Sequence, residues 1–135
     1  MAFFNWDESF SVKVNLIDRQ HQKLFGIVNS YHDAVQDGKS APALFKLLDN
    51  LAEYATVHFA TEERYFAQFN YKDIEAHKRE HKVLVAKIVD LKSKVRVGID
   101  VEDDEVSKFL QIWLEAHIKG TDTKYIECFN KNGLR

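Results

Sequence analysis

The sequence predicts an all-α fold, an up-down-up-down antiparallel four-helix bundle with an extended N-terminal arm. Three observations support this. Five glycines and one proline in 135 residues leave room for long unbroken helices. Four stretches place apolar residues at steps of three and four, the spacing of one buried helix face. Short breaks rich in Gly, Asn and Asp separate them, and short connections join antiparallel neighbours. Hydrophobic residues make up 45% and charged residues 30%, the balance of a chain that buries a core. The length suits a single domain over residues 1–135.

Residues 1–17 hold Phe3, Phe4, Trp6, Phe10, Val12 and Val14 without a helical period and read as an arm laid over the core. Residues 18–135 read as the bundle and its C-terminal tail. Asp18 reads as the cap of a first helix whose stripe is His21, Leu24, Phe25, Val28, Tyr31/His32 and Val35. Asp37-Gly38 ends it, since glycine accepts the left-handed cap conformation. Ser40 starts the second helix, with Pro42 in the first turn, where no amide donor is needed. Its stripe runs Leu44, Leu48, Leu51, Ala55, His58, Glu62, Tyr65, Phe69. Asn70 to Asp73 forms the next break, and Asp73 reads as the N-cap of a third stripe: Ile74, His77, His81, Leu84, Ile88, Leu91, Val95. Gly98 to Asp104 turns the chain into a fourth, begun by Val106, Leu110, Trp113 and His117.

Composition excludes several classes of function. Nineteen Lys and Arg against 21 Asp and Glu give a formal charge of −2, unsuited to a broad nucleic-acid or anionic-membrane surface. No apolar run has spanning length, and the start lacks a basic n-region, so neither membrane insertion nor export is expected. Cys128 has no cysteine to pair with, which fits a reducing, cytoplasmic setting.

Histidine placement is the informative feature. His21, His58, His77, His81 and His117 all fall on inward stripes, and Glu62 joins them one turn after His58. In an up-down-up-down bundle the start of helix one, the end of two, the start of three and the end of four share one end of the molecule. The five histidines and Glu62 therefore converge. Buried imidazoles and carboxylates without thiolate are a transition-metal donor set. Five histidines exceed the needs of one ion with an open site, and Asp122 adds a second carboxylate. If Glu62, Asp122 and a solvent oxygen bridge two ions, three histidines complete six ligands on one. The other two leave their ion five-coordinate, with one position for a small ligand.

These residues also sit in recognisable stretches: Trp6-Asp7, Ile17-Asp18-Arg19-Gln20-His21, His58-Phe59-Ala60-Thr61-Glu62-Glu63, His77 to His81, and Trp113 through Asp122. As an ordered set they resemble the single-domain bacteriohemerythrins almost end to end. The resemblance implies two non-haem iron ions per chain, bridged by oxo or hydroxo, and reversible binding of dioxygen for transport, storage or delivery. It implies His77, His81 and His117 on the saturated iron, His21 and His58 on the open one, and Glu62 and Asp122 as bridges. Leu114 and Ile118 resemble the family's apolar oxygen pocket. The expectation is a monomeric carrier with no catalytic residues, serving an oxygen-consuming enzyme. The alternatives are a nitric oxide or peroxide reductase using the same open position, or a sensor module.

Other residues read more plainly. His32 lies about 16 Å along the helix from His21, too far to ligate, and reads as a core or rim residue. Glu63 is rotated off the stripe and reads as solvated rather than as an acceptor for a ligand imidazole. Tyr65, Trp113 and Tyr125 read as packing, Cys128 as an unreactive tail residue, and the charges from Lys87 to Arg96 as a wet helix face. One conflict is visible. Five residues turn a regular helix through about 500°, which leaves Asp122 about 140° from His117. Both reach one metal pair only through a π-type bulge or a break near Gly120, somewhere in 117–122.

Overall fold

A computed structural model describes residues 4–135; Phe3, assigned to the arm, lies outside the described residues. Four long helices form the predicted bundle: α1 (Asn15–Gln36), α2 (Ser40–Gln68), α3 (Ile74–Arg96) and α4 (Asp103–Ala116). A π-helical segment (His117–Thr121), a 3₁₀ turn (Asp122–Tyr125) and a short α5 (Ile126–Lys131) follow. The α2 helix packs against α1 and α3, and α1 also packs against α4. Gly38 and Gly98 adopt φ of 76° and 79° just after α1 and α3, the left-handed conformation that ends a helix cheaply only in glycine.

The arm is shorter than the sequence suggests. It contains one 3₁₀ turn (Glu8–Phe10) and gives way to α1 at Asn15. Asp18 is not the cap of α1, which begins after Val14 with no side-chain cap. Its carboxylate instead accepts from Ser11 Oγ (2.7 Å) and Val12 N (2.8 Å) and ties the arm to the first turn of the helix. At the arm's other end, Asn29 exchanges two hydrogen bonds with the Phe4 backbone, at 2.7 and 2.8 Å. Phe4 and Phe10 then pack on Phe25. The third helix does start after Asp73, but without a capping bond from that side chain.

The buried residues of the molecule fall into three layers. A large apolar cluster holds Leu24, Phe25 and Val28 of α1, Leu51, Ala55 and Phe59 of α2, Leu84 and Ile88 of α3, and Leu110 and Leu114 of α4. A second, smaller cluster at one end holds Val12, Val14, Ile17, Phe66, Tyr71, Tyr125 and Phe129. Between them come the buried histidines and carboxylates, from α1, α2, α3 and the segments that follow α4. On α2 the drift of the stripe selects Phe66 for this second cluster, while Tyr65 and Phe69 of the predicted stripe only flank it. A residue four beyond Glu62 stays on its face, whereas one three beyond has begun to rotate away.

Candidate metal centre

All seven sequence-predicted donors meet in one buried layer. Glu62 and Asp122 are both 0% exposed, carboxylates that a protein interior tolerates only with partners. Asp122 Oδ1 lies 2.9 Å from His77 Nε2 and 3.1 Å from His117 Nε2, while its Oδ2 lies 3.2 Å from His21 Nε2. Glu62 Oε1 lies 3.1 Å from His81 Nε2, 3.4 Å from His58 Nε2 and 3.9 Å from His77 Nε2. Each carboxylate thus reaches both sides of the layer. Donor atoms of Glu62, His77, His81 and His117 lie within 4.8 Å of one another, and so do those of His21, His58, Glu62 and Asp122.

Asp122 reaches this layer through the backbone irregularity expected of 117–122. The Asp122 N–H donates to the His117 carbonyl five residues back. An i→i+5 bond widens the turn enough to bring both side chains to one face. The following 3₁₀ turn then places Tyr125 over Glu62, where its hydroxyl donates to Oε2 at 2.6 Å. Tyr125 is therefore more than packing.

The outer faces of three imidazoles are fixed by residues that lie off the inward stripes. His58 Nδ1 donates to Gln20 Oε1 (2.6 Å), and His117 Nδ1 donates to Glu80 Oε1 (2.9 Å). His81 Nδ1 donates to Glu63 Oε2 at 2.8 Å, which corrects the reading of Glu63 as merely solvated. An imidazole that holds its proton on Nδ1 turns the lone pair of Nε2 inward. Aromatic rings fix the planes: Phe59 stacks on His81 (3.8 Å, 6°) and Trp113 on His117 (4.4 Å, 14°). His32 stays outside this layer, half-buried on α1.

The residues fit a pair of cations. His77, His81 and His117 Nε2, Glu62 Oε1 and both oxygens of Asp122 are buried without a hydrogen bond. They approach one another within hydrogen-bonding distance but lack the alignment that a hydrogen bond requires. His21 and His58 Nε2 face each other at 3.1 Å. An unpaired buried polar group costs about 1–3 kcal/mol, and coordination removes that cost for the whole cluster at once.

The electrostatics of the metal-free chain agree. Burial takes the His58 imidazole down to about 4, against the pull of Glu62. Burial also opposes charge on His117, but Asp122, Glu62 and Glu80 outweigh it and hold its pKa up at about 9. Burial and Asp122 push the Glu62 carboxyl up, yet His58, His81 and His77 bring it down to about 2. Asp122, opposed by burial, is held well below the usual carboxylate range chiefly by His117. The proton that His117 retains stands in for part of the positive charge that a metal brings.

Fold and layer together define a metal-binding four-helix bundle, with donors projecting inward from facing helices. The model of the Hemerythrin HHE cation binding domain matches residues 12–129, and the chain belongs to the hemerythrin family. It is 41% identical over 122 residues to a hemerythrin-like protein of Naegleria gruberi, covering 90% of both chains. A bacteriohemerythrin of Methylococcus capsulatus is 34% identical over 131 residues, 96% of this chain and 99% of that one. A crystal structure of wild-type hemerythrin superposes with a TM-score of 0.86 at 34% identity, covering 94% of this chain and 98% of that chain. Among the described residues, no helix is long and apolar enough to cross a membrane.

Proposed function

We propose that this chain binds dioxygen reversibly at a non-haem di-iron centre, as a carrier, store or delivery protein rather than an enzyme. The observation that carries the reading is the unequal division of donors. Three imidazoles gather on one side of Glu62 and Asp122 and two on the other. An ion on the side with fewer donors would keep one coordination position for a small ligand. Iron, when bound, supplies the electrons that dioxygen binding needs.

The chain's own residues explain why binding is favoured over further chemistry. Five neutral imidazoles and two carboxylates give less negative charge than the four Glu and two His of carboxylate-rich di-iron bundles. That lower charge disfavours the strongly oxidised metal states used in oxygenation. Leu114, one turn before His117, and Ile118, next to it, are 2% and 1% exposed and belong to the large apolar cluster. An apolar wall of this kind would keep water and free protons from the layer and so protect a bound iron pair from oxidative loss. The test is an absorption spectrum of the reduced protein through cycles of air and vacuum. Bands that appear in air and vanish under vacuum support a carrier. Steady consumption of oxygen or nitric oxide with reductant refutes it in favour of an enzyme.

A further inference from the structure

The two sides of the metal layer are backed by different chemistry. On the three-histidine side, His81 donates to the carboxylate of Glu63 and His117 to that of Glu80. Thr121 Oγ1 holds Glu80 in place, 2.8 and 2.9 Å from its two oxygens. The third imidazole of this side, His77, has a buried Nδ1 with no hydrogen bond. On the two-histidine side, His58 donates to the neutral amide oxygen of Gln20, and His21 Nδ1 is buried with no hydrogen bond. Among the described residues, two carboxylates therefore stand behind one position and none behind the other.

An imidazole that donates to a carboxylate is the more basic ligand, because the carboxylate stabilises positive charge passed from the metal to the ring. A neutral amide fixes the tautomer but gives little of that charge stabilisation. We infer that Glu63 and Glu80 are positioning residues that make the two metal positions unequal, the one bounded by His77, His81 and His117 holding its ion more tightly. This rests on the di-iron reading above. The stacks of Phe59 on His81 and Trp113 on His117 keep both rings in line with their carboxylates. The position with more donors is thereby also the anchored one.

Iron release distinguishes this role from simple support of the fold. The purified di-iron protein is mixed with excess chelator, and bound iron is followed in time. Two phases of equal amplitude are expected, the fast one from the His21/His58 position. Glu63→Gln and Glu80→Gln keep an acceptor but remove the charge, and each speeds the slow phase by about tenfold, leaving the fast phase in place. Gln20→Glu puts a charge behind His58 and slows the fast phase by a similar factor. Glu63 and Glu80 side chains are 32% and 42% exposed, so these changes leave the core intact. A slow phase unmoved in both glutamine variants overturns the inference, as does equal acceleration of both phases. Iron content separates the two readings. Fewer than two irons in the wild type sinks the di-iron centre, whereas two irons released in one phase sink only the inequality.

Discussion

Replacing Tyr125 by phenylalanine removes one hydroxyl and keeps the ring. The ring's contacts with Phe129 (4.2 Å between centroids, 20° between planes) and Phe66 (5.6 Å) survive. What is lost is the 2.6 Å donation to Glu62 Oε2, in a place where neither residue meets water. A hydrogen bond to a charged group contributes about 1.5–3 kcal/mol. At roughly 4 °C per kcal/mol for a domain of this size, Tyr125→Phe lowers the Tm of the metal-free chain by about 6–12 °C. Tyr71 supplies the control. It lies in the same apolar cluster, and its hydroxyl is buried with no hydrogen-bond partner. Tyr71→Phe removes an unsatisfied group that costs about 1–3 kcal/mol, so its Tm stays level or rises. The assay is thermal unfolding by far-UV circular dichroism in the presence of chelator. Equal losses from the two changes would show that the rings matter and the bond to Glu62 does not.

Three further predictions follow from the same geometry. His77→Ala removes a donor facing both Glu62 and Asp122 and loses much of the metal, whereas His32→Ala retains two irons per chain by metal analysis; a large loss from the His32 change would refute the donor assignment. Leu114→Ser or Leu114→Glu leaves iron content intact but brings a polar group into a dry wall, so oxygenated protein turns into the oxygen-free met form faster at fixed pH; an unchanged rate would reduce Leu114 to bundle packing. In the metal-free chain, His117 has a pKa raised from 6.5 to about 9, through Asp122, Glu62 and Glu80 against the cost of burial. A raised pKa stabilises the fold fully below 6.5, and that contribution fades as pH rises through about 9. The Tm in chelator therefore falls across this window, and a His117→Gln variant flattens the fall; a wild-type Tm that climbs there contradicts the assignment.

Much of this was legible in the sequence because a helix face repeats at a fixed interval. The spacing of His21, His58, Glu62, His77, His81 and His117, with the alternating direction of four helices, places them in one layer without any coordinates. The mismatch between His117 and Asp122 likewise required a bulge or a break in 117–122, and the backbone takes the π form. The outer partners were not legible. Gln20, Glu63 and Glu80 lie off the inward stripes, where polar residues ordinarily face water, and each reaches an imidazole on a neighbouring helix. Asp18 has the same character, since its sequence position suggests a helix cap while the folded arm brings Ser11 and Val12 to its carboxylate. The sequence by itself determined which residues face inward, because periodicity is a property of a single helix. Which polar side chains at the seams bind an imidazole and which stay in water was decided only by the tertiary structure, because that depends on the rotation and approach of two helices together.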